Sequence, residues 1–207
     1  MEHKPVPRVV VKRLPIYLRE LYYAAEEGYT YISSQELGQR LGYTAAQIRK
    51  DLSTLGEFGK QGAGYPVASL IKELEAILHV NRTWDVALVG VGDLGHALIH
   101  YQGFHPRGFR IVLAFDNNPA KIGKLVGDLI IHDVQYLEEE IRQAGIRIGM
   151  ITTPASVAQE IAERLVEAGV RGILNYAPVH LNLPAEIEVE YIDPVIHLQR
   201  MTFFLGG

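Results

Sequence analysis

The chain has 207 residues, 48% of them hydrophobic, with 20 Lys and Arg against 24 Asp and Glu and no cysteine. That length accommodates two small domains, each burying its own core, and the missing thiols exclude thiol catalysis, thiol redox sensing and cysteine-based metal sites. No signal-peptide pattern opens the chain and no run approaches the roughly twenty apolar residues of a membrane span, so a soluble, cytoplasmic protein is expected.

Charge divides mildly: residues 1–80 carry ten Lys and Arg against nine Asp and Glu, residues 81–207 ten against fifteen. Charge alone therefore does not argue for nucleic-acid binding. From Lys12 to Ala25, Leu14, Tyr17, Leu18, Leu21 and Tyr22 recur at helical spacing, with Pro15 tolerable in the first turn. After a β-prone Tyr29–Ile32, Ser33 and Glu36 form a capping box that opens a helix through Leu41, stopped by Gly42. Thr44 and Gln47 form a second box, starting a helix that runs to Ser53 before Gly56.

Two capped helices joined by a tight glycine turn predict a helix-turn-helix. Ile48, Leu52 and Leu55 then face the core, leaving Gln47, Arg49, Lys50 and Ser53 on other faces, with Thr44 at the helix start. Arg and Gln can each read a base edge through two hydrogen bonds, and Lys suits phosphate. Three glycines between Phe58 and Tyr65 predict a hairpin wing whose tip carries Lys60 and Gln61, and Val67–Leu78 returns to helical period. On these residues alone, a helical dimerisation module remains the alternative to a winged DNA reader.

From about residue 81 the pattern changes to strand, turn and helix in alternation, a Rossmann-type series. An apolar strand runs into Gly90-Val91-Gly92-Asp93-Leu94-Gly95, and about twenty residues later the run Ile111 to Phe115 ends on Asp116. Gly90 permits the tight turn, Gly92 lets backbone approach a pyrophosphate, and Gly95 lets the helix pack closely on the strand. Asp116 is placed to accept ribose hydroxyls and to repel a 2′-phosphate, favouring NAD(H). Domains binding S-adenosylmethionine or coenzyme A share an acid-tipped second strand and stay open as alternatives.

No catalytic constellation stands out. Eight histidines are present, none in metal spacing and none marked as a hydride-transfer acid or base, so neither a catalytic residue nor a metal site is expected. His96 is read as a neighbour of phosphate, and His132, His180 and His197 as surface or interface residues. The terminal segment begins with an acidic N-cap, Asp193, and an N1 proline, Pro194, and ends in the apolar Phe203-Phe204-Leu205. It is read as a helix that packs on its own domain or against a second subunit.

These motifs together resemble the Rex family of redox-sensing repressors over nearly the whole chain. The resemblance rests on Arg13-Leu-Pro-Ile-Tyr-Leu-Arg19, Ser33-Ser-Gln-Glu-Leu37, Gln47-Ile-Arg-Lys-Asp-Leu52 and Phe58-Gly59 with Gly62-Ala-Gly-Tyr65. In the second half it rests on Gly90–Gly95, Asp116-Asn-Asn-Pro-Ala-Lys-Ile-Gly123, Thr153-Pro-Ala155, Gly172-Ile-Leu-Asn-Tyr-Ala-Pro178 and Asp193. It implies a winged helix-turn-helix domain over 1–80, a Rossmann NAD(H)-binding domain over 81–192 and a dimerising, swapped helix over 193–207. It also implies a homodimer on a palindromic double-stranded operator, released by NADH.

By the same resemblance Tyr101, Asn175, Ala177, Pro178 and Asp193 lie near the nicotinamide, and Asn117, Thr152 and Pro154 near the rest of the cofactor. Asp193 is expected to exchange partners between Tyr101 and Arg19, coupling cofactor state to the DNA reader. Pro194 stands where some relatives carry a bulky aromatic, which predicts looser enclosure of the nicotinamide. The runner-up reading is an NAD-dependent oxidoreductase with an N-terminal regulatory domain.

Overall fold

The computed structural model describes residues 6–56 and 64–206. Its contacts divide the chain into two compact units, Met1–Arg82 and Thr83–Gly207.

In the first unit a short helix α1 (Arg8–Val11) leads into α2 (Leu14–Glu26), with Pro15 in the first turn, where its missing N–H costs no hydrogen bond. Strand β1 (Tyr31–Ile32) precedes α3 (Ser34–Leu41), which opens with both halves of the Ser33/Glu36 capping box formed. Gly42, at φ +71°, closes α3 in the left-handed conformation. A Cβ on Gly38 would lie 2.5 Å from the Tyr43 carbonyl, so only glycine allows the chain to turn back this tightly into α4 (Ala45–Ser53). Strand β2 (Tyr65–Pro66) pairs antiparallel with β1, and α5 (Val67–Ile77) completes the unit.

Leu14, Tyr17, Leu21, Leu37, Ile48, Leu52, Leu70 and Leu74 fill one buried core that unites the four longer helices. The expected wing tip, with Lys60 and Gln61, lies outside the described residues; the antiparallel β1–β2 ladder pairs Tyr31 with Pro66 and Ile32 with Tyr65.

The second unit is built on a seven-stranded sheet. Its strands and helices follow in chain order as β3 (Trp84–Val89), α6 (Asp93–Ile99), β4 (Phe109–Asp116), β5 (Leu125–Val126), β6 (Leu129–Asp133), α7 (Leu137–Ala144), β7 (Ile148–Ile151), α8 (Ala155–Glu167), β8 (Gly172–Asn175), β9 (Glu188–Tyr191) and α9 (Pro194–Leu205). The spatial order is β5-β6-β4-β3-β7-β8-β9. All pairs are parallel except β5–β6, a hairpin that the periodicity did not reveal.

Apart from the edge hairpin, this is the doubly wound order in which the sequence of strand addition reverses between the first and fourth strands, here β3 and β7, which remain parallel. Ligands bind at that switch point, beyond the carboxyl ends of the strands. The central strands are buried on both faces, as parallel strands between helical layers must be. None of the α9 side chains is buried: Phe203, Phe204 and Leu205 are 80%, 75% and 77% exposed. No helix among the described residues is long and apolar enough to cross a membrane.

Candidate cofactor cleft and DNA-reading helix

Gly90 follows β3 at φ +101°, a conformation that only glycine adopts without strain. A Cβ there would also lie 2.9 Å from the Thr152 backbone, which follows β7. A Cβ on Gly95 would fall 2.2 Å from the Gly90 carbonyl, whereas one on Gly92 would meet open space. The three glycines thus divide as the motif requires: two accommodate backbone against backbone, and the middle one leaves room for a ligand. The Thr152 hydroxyl donates to the Gly90 and Val89 carbonyls, at 2.7 and 3.1 Å, fastening the glycine turn to the neighbouring strand. Val91 is buried in the core, while Asp93 and Leu94 are exposed on the first turn of α6.

A cavity of about 500 Å³ opens at this switch point, lined by Gly90, Gly92, Asp116, Asn117, Thr152 and Pro154 among others. Val89, Val134, Val157 and Ile161 supply an apolar wall able to take an adenine ring. Asp116 is only 6% exposed. Its Oδ2 accepts the Val91 N–H at 2.9 Å and the Lys121 ammonium at 3.1 Å, and its Oδ1 accepts the Asn118 N–H at 2.9 Å. The acid therefore organises the glycine loop as well as facing the cavity, and its charge is countered by Lys121.

The residues fit a dinucleotide. Thr153 Oγ1 is buried without a hydrogen-bond partner and belongs to a residue that lines the same cavity, so a polar group of a ligand would satisfy it. Sequence reasoning assigned Thr152 and Pro154, on either side of it, to the cofactor and named Thr153 only as part of a family motif.

A second cavity, of about 350 Å³, lies beyond β8 and β9, lined by Asn175, Ala177, Pro178, His180, Tyr191 and Asp193 among others. Asn175, 1% exposed, uses both amide N–H groups on the Ala177 and Val179 carbonyls, and its Oδ1 accepts the Ala177 N–H. It shapes the loop and has no N–H left to offer a ligand. Tyr191 Oη accepts the Leu181 N–H and hydrogen-bonds His180 Nδ1. Asp193 Oδ1 caps α9 by accepting the Val195 N–H at 2.9 Å. Tyr101 is not brought to this cavity; it packs edge-on against Phe104 and lines a separate one of about 380 Å³ with Ile99 and Phe109.

In the first unit, α4 presents Ala46, Arg49, Lys50 and Ser53 to solvent, at the i, i+3, i+4, i+7 spacing of one helix face. Thr44 caps the helix by accepting the Gln47 N–H. The second capping box is only half formed, because the Gln47 side chain turns instead to Asp51 Oδ1 at 2.7 Å. Gln47 is half-buried and tethered, so it departs from the free base-reading role expected of it. Arg49 hydrogen-bonds Ser34 Oγ at 3.0 Å, which aims the guanidinium along the α3 start. Arg19 is exposed on α2.

Asp51 was not singled out from sequence. It is 1% exposed and receives Arg13 Nε at 2.6 Å, Arg13 Nη2 at 2.8 Å and the Tyr17 hydroxyl at 2.6 Å. Burial pushes its pKa up, but the hydrogen bonds from Arg13, Tyr17 and Gln47 outweigh burial and hold it below the usual value. Among the described residues no cluster of His, Asp and Glu could hold a metal ion.

Residues 5–53 match the family described as putative DNA-binding protein N-terminus, and residues 81–179 the family described as CoA binding domain. The redox-sensing transcriptional repressor Rex of Chloroflexus aurantiacus is 52% identical over 200 residues, 97% of this chain and 94% of the relative. That of Carboxydothermus hydrogenoformans is 44% identical over 198 residues, 96% of this chain and 95% of the relative. Among solved structures, RSP in complex with beta-NAD+ and operator DNA matches with a TM-score of 0.92 at 36% identity, covering 98% of this chain and 93% of the other. RSP in complex with beta-NADH matches at 0.89 and 34%, covering 98% and 95%. With such identity along its length, the chain belongs to the Rex family of redox-sensing transcriptional repressors.

Proposed function

We propose that this chain represses transcription by binding an operator through α4 when NADH is scarce and leaves the operator when NADH occupies the second unit. The observation that carries this is the presence, on one chain, of the exposed Arg49–Lys50 helix face and of the glycine cleft closed by Asp116 and Thr152. The solved complexes of its relative RSP with beta-NAD+, operator DNA and beta-NADH support the same reading. Bound in the cleft, the two cofactor forms differ at the nicotinamide by one positive charge and by ring planarity, and that difference is the signal.

Gly90, Gly92 and the first turn of α6 hold the pyrophosphate, Asp116 and Asn117 the adenosine ribose, and Thr152 to Pro154 the switch-point edge. Ala177 and Pro178 line the nicotinamide cavity with apolar surface, which favours the neutral reduced ring. Asp193, which lines that cavity at the start of α9, then carries the cofactor state onward, a coupling on the scale of about 1–3 kcal/mol. The second copy seats on α9, whose exposed apolar face suits a homodimer, and two-fold symmetry then calls for a palindromic operator. Hydride transfer is not part of this role, and NADH binds without turnover.

The test is a gel-shift titration on an operator fragment selected from random double-stranded DNA by the NAD+-loaded protein. Micromolar NADH is expected to release the fragment where NAD+ does not; release by neither or by both alike would overturn the reading. The match to a CoA binding domain keeps one competitor in view: stabilisation of the protein by acyl-CoA but not by NADH would favour it.

A further inference from the structure

Lys121 lines the cavity proposed to take the adenosine, beside Asp116. Two consecutive side-chain turns bring it there: Asp116 Oδ1 accepts the Asn118 N–H, and Asn118 Oδ1 accepts the Ala120 N–H, both at 2.9 Å. The Lys121 backbone N–H then closes onto the Asn118 carbonyl at 2.9 Å. From that position the ammonium donates to the Val91 carbonyl at 2.8 Å and to Asp116 Oδ2 at 3.1 Å, while remaining part of the cavity lining.

A count of valences shows what the pair still offers. An ammonium has three N–H donors and an ionised carboxylate about four acceptor positions. Two of the donors and three of the acceptors are used by the bonds described here. One acceptor position on Asp116, at Oδ1, and one donor on Lys121 remain. That combination suits a vicinal diol, one hydroxyl donating to Asp116 and the other accepting from Lys121.

It also changes what a phosphate at the same ribose would meet. A lone carboxylate repels a phosphate dianion strongly at contact distance, but a carboxylate with an ammonium at 3.1 Å is close to neutral from outside. We propose, resting on the dinucleotide reading above, that Lys121 sets the cofactor selectivity of this chain by offsetting the charge of Asp116, so that a 2′-phosphorylated adenosine ribose is rejected only modestly. Asp116 alone, as read from the sequence, repels a 2′-phosphate and favours NAD(H).

The test compares NADH and NADPH dissociation constants by the fluorescence of the reduced nicotinamide, for the wild-type chain, Lys121→Met and Lys121→Arg. In the wild type NADPH is expected to bind within about a hundredfold of NADH. In Lys121→Met the preference for NADH is expected to widen by about tenfold or more, since the phosphate loses a cation and meets the bare carboxylate. Lys121→Arg, which keeps the charge, should leave the preference within about threefold of wild type.

A preference unchanged in Lys121→Met would overturn the proposal, including the case in which both cofactors weaken equally because Lys121 serves only as a structural counter-ion. A wild type that rejects NADPH by several thousandfold would overturn it too. Failure of the wild type to bind NADH at all would instead sink the dinucleotide reading, before any variant is compared.

Discussion

Arg13 grips Asp51 through two parallel hydrogen bonds, at 2.6 and 2.8 Å, across 38 positions of sequence. The pair fixes the start of α2 to the last turn of α4, and Tyr17 and Gln47 complete the shell around the same carboxylate. The orientation of α4, the helix proposed to read DNA, is thus set by a charge buried beneath it.

The two halves of this pair are expected to differ in cost. Arg13→Met strands a nearly fully buried carboxylate and should destabilise the first unit by about 3–5 kcal/mol. Asp51→Asn keeps shape and two hydrogen-bonding positions, and Arg13, 19% exposed, can turn to water, so about 1–3 kcal/mol is expected. Urea unfolding followed by tyrosine fluorescence checks the order, and equal costs would count against the ion pair as the dominant element.

Acid should act on the same carboxylate. The folded pKa of Asp51 lies below its ordinary value, so its contribution to stability is complete above about pH 4 and is lost as pH falls through the lower folded value. Asp51→Asn should therefore flatten the acid limb of the stability curve while leaving its neutral plateau lower, which a series of melts from pH 2.5 to 7 would reveal.

On the reading face, Arg49→Ala and Lys50→Ala should each weaken operator binding by about tenfold or more. If Lys50 meets phosphate, its removal also lowers the slope of log affinity against log salt by about one. Gln47→Ala is expected to act mainly through stability, since its amide is committed to Asp51. Unaltered DNA binding in both cationic variants would remove α4 as the reader.

For the cleft, Gly95→Ala places a methyl group 2.2 Å from the Gly90 carbonyl. Backbone must move, so NADH affinity is expected to fall at least tenfold with a loss of about 2 kcal/mol in stability. Isothermal titration with NADH and a thermal melt would measure both.

At the end of α9, Phe203→Ser combined with Phe204→Ser removes its two exposed phenyl rings. If a second copy seats on α9 as proposed, light scattering should report dimers for the wild type and monomers for the variant, and operator affinity should fall with it.

Much of the fold was legible because it is written in local signals. The Ser33/Glu36 box, the Gly42 stop and the Asp193-Pro194 start each act within one helical turn, and the apolar runs of β3, β4 and β7 carry the parallel sheet. The glycine spacing likewise announced the cleft. What escaped depends on residues distant in sequence meeting in space. The β5–β6 hairpin has only two residue pairs and no strong alternation. Asp51 looked like one polar residue on a helix until Arg13 and Tyr17 arrived from another. Thr44 and Gln47 fit a capping box, but Asp51, one turn later, offered the Gln47 amide a charged partner. Tyr101 was carried over by resemblance and packs on Phe104 instead.

Each unit closes around its own core: Leu14, Tyr17 and Leu52 belong to one cluster, Phe115, Ile151 and Leu165 to another. Heat need not unfold the chain in a single step, and a calorimetric trace should resolve into two endotherms if the units melt independently. NADH, bound by the second unit, would move its own peak by mass action. Any displacement of the other peak would then be the thermodynamic trace of communication along the chain, measurable without DNA.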